Sequence, residues 1–442
     1  MNVSTQGLLR FQAAGGEYVF SGHTGLLLRS SPALDEALAK PSSALEEKLG
    51  TCLYGKHQSQ RTLRVGASKQ TPLQNVTVFV TNECNLDCSY CYVRKNGISN
   101  SGRMSLDTFR SAMELFSSCF DMRRRVNILF FGGEPFMNLG FLKGATGYLD
   151  QIAERDGTQF TYSIVTNGTI LNQEVLDFVV RNGVSVVVSI DGSEEVHDRT
   201  RPFRNGKGSH ATVLRNVGVL SQYCNLAARV TVCDLNTDLV RLYEDLRTAG
   251  FWEVHATVVS DANAASADLE PGLSQLRQRL REMEDHFLAN VREKRLVRFG
   301  HVAKYLKLIH LGYRSGGNAK VLPCSAGYSS FSVAANGDIY LCHRFNNVAD
   351  VRFGSVADGL NWERRENFLD THQVSARRGA CASCWAAAFC GGTCYHTSYA
   401  ADAEMRTVNE LHCACAREWV LSALRVYVSM SAEERCVLEN IG

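Results

Sequence analysis

The chain has 442 residues, 45% of them hydrophobic, and 47 Lys plus Arg stand against 45 Asp plus Glu for a formal charge of +2. That length predicts two or three domains with sizeable cores, and the balanced charge excludes a global field that would recruit nucleic acid or an anionic membrane surface. No apolar run approaches the roughly 20 residues that span a bilayer, and the opening MNVSTQGLLRFQ lacks the basic and apolar regions of an export signal, so the expectation is a cytoplasmic protein with no membrane and no nucleic-acid partner.

In chain order, residues 7–53 read as three short strands (Leu8–Gln12, Glu17–Ser21, Gly25–Arg29) followed by helical segments at Ser31–Leu38 and Ser42–Leu49. This is a small module within residues 1–70, joined to the rest by the polar stretch Gly55–Gln74. Residues 75–310 alternate β-branched runs with amphipathic stretches, the pattern of βα units and a parallel sheet. The strands are expected at Val76–Thr81, Val126–Phe131, Thr161–Thr166, Ser185–Ile190, Ala228–Cys233 and Val254–Val259. Helices are expected at Leu106–Phe116, Gln173–Arg181, Ala211–Ser221 and Thr237–Arg247. Six such units predict an α/β fold with a partial (β/α)6 barrel, whose chemistry sits at the C-terminal strand ends. In residues 315–442, Gly, Cys and short apolar runs dominate until an amphipathic stretch at Glu418–Met430, which predicts a core organised by metal ligands.

Sixteen cysteines in a chain without an export signal argue for metal or cluster ligation over disulfides. Cys52, Cys119, Cys224, Cys233 and Cys436 are scattered and read as small buried hydrophobes. Cys84, Cys88 and Cys91 follow the first barrel strand in Thr81-Asn-Glu-Cys84-Asn-Leu-Asp-Cys88-Ser-Tyr-Cys91-Tyr92. Three thiolates on one tight loop can hold three corners of a [4Fe–4S] cubane and leave the fourth iron open to a small molecule. The alternative is zinc, which would want a fourth Cys or His within the loop, and none follows there.

This loop resembles the CxxxCxxC signature of the radical S-adenosylmethionine superfamily. The resemblance implies that the open iron binds the amine and carboxylate of S-adenosylmethionine. Gly132-Gly133-Glu134-Pro135 after the second strand looks like the family's GGEP motif, where the glycines let backbone approach the ligand and Glu134 would accept from the methionine ammonium. Thr166-Asn167-Gly168 and Ser189-Ile190-Asp191-Gly192, followed by His197-Asp198 and Arg201, resemble later segments of the same family. There Asn167, Ser189, Asp191 and Arg201 would serve the cofactor, and Tyr90 or Tyr92 would lie near its adenine.

The gaps separating Cys324, Cys342, Cys381, Cys384, Cys390, Cys394 and Cys413 resemble the seven-cysteine SPASM extension of radical enzymes that modify ribosomal peptides and proteins. By that resemblance Cys381, Cys384, Cys390 and Cys413 would hold a distal auxiliary cluster, and Cys324, Cys342 and Cys394 a nearer one, for three [4Fe–4S] clusters in all. A zinc ribbon would explain Cys381 and Cys384 but leave the others over. The nearer cluster lacks one ligand: relatives carry another Cys where this chain has Asn318. Cys415, a substrate thiolate or a non-cysteine group are the alternatives.

The implied function is a maturase that uses a 5′-deoxyadenosyl radical, with an external reductant of the flavodoxin or ferredoxin type, to modify and cross-link a ribosomally made precursor peptide oxidatively. The N-terminal module resembles the winged-helix element with which such maturases capture a leader by strand addition. One alternative is an anaerobic sulfatase maturase making formylglycine. Those enzymes place an Asp general base after the cysteine matching Cys342, where this chain has His343, the candidate catalytic base. The other alternative is an iron–sulfur electron carrier without radical chemistry, which would be expected to ligate all four corners.

Overall fold

The computed structural model describes residues 7–22, 24–39, 71–95, 97–98, 102–258, 269–315, 322–373, 381 and 383–440. The expected helix at Ser42–Leu49, most of the linker, and Asn318 lie outside these residues.

The chain opens with β1 (Leu8–Ala13), β2 (Gly16–Ser21) and β3 (Leu27–Arg29), an antiparallel sheet in the order β1-β2-β3, followed by a helix over Pro32–Ala39. Ala14 and Gly15 both take positive φ, 48° and 68°, the conformation that a two-residue turn needs to match the twist of its strands. The fully buried Phe20 packs edge-on against Trp385 at 6.4 Å and against Phe389 at 5.5 Å. This small sheet is therefore seated on the cysteine-rich C-terminal segment.

The six expected strands are present as β4 (Asn75–Thr81), β5 (Arg125–Gly132), β6 (Gln159–Thr166), β7 (Ser185–Ser189), β8 (Leu226–Val232) and β9 (Glu253–Val258). They pair in parallel and in sequence order. Their outward positions, such as Val126, Ile128 and Phe130, are fully buried under helices. The helix Leu106–Cys119 shows why: Phe109, Ala112, Met113 and Phe116 share one face at the helical spacing, and Ser105 caps its first turn by accepting from Thr108 N at 3.0 Å. The inward positions (Asn127, Leu129, Phe131, Ser163, Ser189, Arg229, His255) are only partly covered. They line an open interior.

The boundary expected near residue 315 does not divide the sheet. β10 (Ser330–Val333) pairs in parallel with β4, and β11 (Asp338–Tyr340), β12 (Arg352–Ser355) and β13 (Gly359–Leu360) continue it in antiparallel fashion to ten strands in the order β13-β12-β11-β10-β4-β5-β6-β7-β8-β9. Sequence periodicity, being local, gives no sign of this pairing. The C-terminal amphipathic stretch is a long helix, Glu410–Ser429, buried on most of its circumference by β1 and the helices Leu269–Arg292 and Gly300–Ser315. Among the described residues no helix is long and apolar enough to cross a membrane.

Candidate active site

The three-cysteine loop leaves the end of β4 and is held from three sides. Gly133 N and Glu134 N donate to Thr81 O and Glu83 O at 2.8 and 2.7 Å, and Asp87 N and Ser89 N donate to Pro202 O and Thr200 O at 2.8 and 3.0 Å. Asn167 Nδ2 donates to Asn85 Oδ1 at 2.8 Å and lies 3.7 Å from Cys84 Sγ. A Cβ added at Gly132 would stand 2.2 Å from Thr81 O, and one at Gly133 would stand 2.1 Å from Glu83 O. The glycines are thus required where the end of β5 meets the backbone of the cysteine loop, a reason more immediate than ligand approach.

Glu134 is fully buried, and its carboxylate accepts from Thr166 Oγ1 at 2.9 and 3.0 Å, Asn167 N at 2.7 Å and Phe136 N at 3.1 Å. Burial pushes this carboxyl up to about 7 against the pull of those donors. Its side chain ties β5 to β6 and so positions the glycine turn.

Asp191, just past β7, is a second hub. It accepts from the Tyr90 hydroxyl, from Thr200 Oγ1 and Arg201 Nε at 2.9 Å each, and from Thr231 N at 2.9 Å. Burial works against its ionisation, but Arg201 and these donors outweigh it and hold the carboxyl below its ordinary range. The Arg201 guanidinium also sits 5.1 Å from the centre of the Tyr90 ring. His197 Nδ1 accepts from Asp191 N at 3.2 Å, which leaves Nε2 as the protonated nitrogen facing Ser209 Oγ at 2.9 Å; that hydroxyl in turn donates to Arg201 O. The segment 191–209 thus forms one buried network that grips the loop between Cys84 and Cys91. Ser189 is half-buried at the end of β7, and its hydroxyl makes no hydrogen bond among the described residues. Burial raises the Cys84 thiol, and it pushes Cys88 up to about 12 although Arg201 opposes it. Thiols so disfavoured as anions ionise there only when a cation takes the proton's place.

Tyr92 turns away from Tyr90. Its ring lies 6.4 Å from Phe131, 6.2 Å from His343 and 6.1 Å from His396, and its buried hydroxyl is without a partner among the described residues. It therefore stands where the first loop meets the second cysteine field.

That field falls into two groups. Cys381, Cys384, Cys390 and Cys413 line one cleft together with Thr393 and Arg417. Arg344 joins Cys342 and Cys394: its amide donates to Cys342 Sγ at 3.5 Å, and its guanidinium lies 4.0 Å from Cys394 Sγ. Burial pushes the Cys342 thiol up to about 12, and Cys394 and Cys324 add to the shift as nearby negative charges, so these three thiols share one neighbourhood. Among the described residues no three His, Cys, Asp or Glu side chains converge on one point as the ligands of a single metal ion would. Cys415 is buried apart from both groups, near Glu418.

His343 packs its ring 4.6 Å from Phe131, with Nδ1 3.7 Å from Cys342 Sγ. Burial, with Arg344, Arg229 and His396 adding to it, holds its pKa at about 3; burial and Arg344 hold His396 at about 3 and His412 at about 4. The sequence offers His343 at an ordinary imidazole pKa. The structure gives a neutral ring, because the site excludes water and gathers cations.

Cys84, Cys88 and Cys91 share one loop, Cys381, Cys384, Cys390 and Cys413 line one cleft, and Cys324, Cys342 and Cys394 share one neighbourhood. Thr200, Thr231, Ser209, Arg344 and His396 are missed. Thr200 and Ser209 stand beside His197 and Arg201 in the sequence, and Arg344 and His396 each lie two residues beyond a cysteine of the second field. Thr231 acts through its backbone and leaves no side-chain signal.

Residues 78–246 match the family model of the Radical SAM superfamily. The chain is 30% identical over 172 residues to an uncharacterized protein of Methanocaldococcus jannaschii, a match that covers 39% of this chain and 57% of that protein. It is 24% identical over 319 residues to the cysteine-type anaerobic sulfatase-maturating enzyme of Clostridium novyi, with 67% of this chain and 82% of that enzyme covered. The fold is similar to that of anSMEcpe with bound AdoMet, at a TM-score of 0.67 and 19% identity over 83% of this chain and 98% of that one. It is also similar to Streptococcus suis SuiB bound to the precursor peptide SuiA, at a TM-score of 0.51 and 12% identity over 92% of this chain and 99% of that one.

Proposed function

The chain is an enzyme of the radical SAM superfamily, and from that premise we propose that it oxidatively modifies, and cross-links, a ribosomally made precursor peptide. Residues 75–310 act as the radical SAM barrel, residues 315–442 as a SPASM domain with two auxiliary clusters, and residues 1–70 as the module that receives the leader. Cys84, Cys88 and Cys91 would hold the first cluster; Cys381, Cys384, Cys390 and Cys413 the distal auxiliary one; and Cys324, Cys342 and Cys394 the nearer one. When bound, these groups supply an electron to S-adenosylmethionine, a 5′-deoxyadenosyl radical that takes one hydrogen atom from the substrate, and an acceptor for the electron left behind.

The chain's own residues prepare that chemistry. The Asp191 hub and the Glu134 brace fix the cysteine loop against the ends of β5, β6 and β7, so the loop does not reorganise when the cofactor arrives. The free hydroxyl of Ser189 faces the same interior as a donor for a carboxylate. Arg344 places a positive charge between Cys342 and Cys394, where it favours an electron-rich neighbour.

The observation that carries the reading is the seating of Tyr92 and His343 between the first cysteine loop and the Cys342–Cys394 group. An electron acceptor beside the radical site suits an oxidative product, and an unprotonated imidazole, where the sulfatase maturases hold a carboxylate, suits a different substrate. The test is anaerobic reconstitution followed by reduction with S-adenosylmethionine and a short peptide encoded beside this gene. Expected are about twelve irons per chain, 5′-deoxyadenosine, and a peptide two hydrogens lighter per bond formed. If the peptide returns unchanged while a Cys- or Ser-containing sulfatase peptide gains an aldehyde, the sulfatase-maturase reading replaces this one; its coverage of 82% of the Clostridium novyi enzyme keeps it in view.

A further inference from the structure

Resting on the maturase reading above, the nearer auxiliary site has three cysteines and needs a fourth ligand. Cys415 does not supply it. Cys413 and Cys415 are two residues apart on the helix Glu410–Ser429, and residues so spaced do not share a face. Cys413 lines the distal cleft, so Cys415 turns into the buried core near Glu418. Among the other described cysteines, Cys119 and Cys224 lie in or beside helices outside the barrel, and Cys233 and Cys436 are exposed.

His396 brings an imidazole into the neighbourhood of Cys342 and Cys394. His396 is the second residue of the helix Tyr395–Ala401, whose N-cap is Cys394. Its ring lies 5.4 Å from Phe345, which is three residues beyond Cys342, and 6.1 Å from Tyr92, which follows Cys91. The ring thus lies between the segment that bears Cys342 and the first cysteine loop, on a helix that begins at Cys394. Its Nδ1 is buried with no hydrogen-bond partner among the described residues. Burying an unpaired imidazole nitrogen is costly, and folded proteins seldom carry that cost without a ligand or a role to offset it. His343 does not compete, since its Nδ1 already faces Cys342 Sγ at 3.7 Å and its ring packs at a tilt against Phe131.

We propose that His396 is the fourth protein ligand of the nearer cluster, making it a three-cysteine, one-histidine site closed to substrate thiolate. A neutral nitrogen in place of a thiolate removes one negative charge, and this raises the potential of the cluster, as histidine ligation does in Rieske centres. Such a cluster takes an electron from a substrate radical more readily than an all-thiolate one.

The test uses the full chain with Cys84→Ala, Cys88→Ala and Cys91→Ala, so that the auxiliary clusters alone are paramagnetic after reconstitution and reduction. Pulsed electron paramagnetic resonance on protein labelled with ¹⁵N-histidine is expected to show one strongly coupled nitrogen, which switches from the ¹⁴N to the ¹⁵N pattern on labelling. His396→Cys should abolish that coupling, keep about eight irons per chain and lower the midpoint potential. His412→Ala, which removes another imidazole whose buried Nε2 has no hydrogen-bond partner among the described residues, should leave the coupling intact. Coupling that survives His396→Cys but vanishes in His412→Ala overturns the assignment. A labelled protein with eight irons and no coupled nitrogen overturns the ligand but leaves the maturase reading standing. About four irons or fewer overturns both.

Discussion

Asp191 concentrates more of the site on one side chain than any cysteine does, because Tyr90, Thr200, Arg201 and Thr231 all donate to it. Asp191→Asn keeps the shape but leaves the Arg201 guanidinium buried without its counter-charge, and breaking such a pair costs about 3–5 kcal/mol. The expected outcome is a less stable protein, measured by anaerobic urea unfolding, that also loses about four irons per chain as the first loop loosens; full iron content would refute the hub's role. The cysteines and Gly132-Gly133 are readable in the sequence because their chemistry demands fixed spacing along a short segment. The parts played by Glu134 and Asp191 are not readable. Motif position suggests ligand contact for both and gives no sign of the donors that they accept from distant parts of the chain.

At the scale of elements, β5 and the cysteine loop touch backbone to backbone. Gly133→Ala would place a methyl 2.1 Å from Glu83 O, a clash that only movement of the loop relieves. We expect this variant to lose the first cluster and its electron paramagnetic resonance signal while the auxiliary clusters persist; an unchanged spectrum would show that the contact tolerates a side chain. A second contact joins the helices Leu269–Arg292 and Glu410–Ser429, where Glu284 faces Arg281 at 3.6 Å and Arg425 at 3.7 Å, too far for a hydrogen bond to either. Burial therefore outweighs both cations and pushes Glu284 up to about 7. The folded state then binds this proton more tightly than the unfolded state, so the stability it contributes is full below about pH 4.5 and is lost as pH rises through about 7. Relative to wild type, Glu284→Gln should gain on the order of 3 kcal/mol between those limits, read from unfolding curves at pH 5 and pH 8. A difference that does not change with pH would mean that Glu284 titrates normally. The strands of the barrel follow from β-branched periodicity. The helices packed around Glu410–Ser429 are harder to anticipate, since their buried faces include charged residues such as Glu284 and Glu418.

For the whole molecule, the N-terminal sheet is part of the cover of the distal cysteine group. A Cβ added at Gly22 would stand 2.0 Å from Trp385 O, and Phe20 fills the space against Trp385 and Phe389. Deleting residues 1–39 should then lower iron from about twelve to about eight per chain as well as weaken leader binding, measured by iron analysis and by peptide titration of the same sample. Unchanged iron would separate the module from the cluster after all. The ten-stranded sheet has a consequence for how the protein comes into being. β4 carries the first cysteine loop and pairs on one side with β5, but on the other with β10, and the Asn75–Ser330 hydrogen bond joins residues 255 positions apart. During synthesis β4 emerges early and waits, with one edge unpaired, until most of the chain has left the ribosome. An open strand edge held that long is a template for misassociation, and contacts so distant in sequence form slowly.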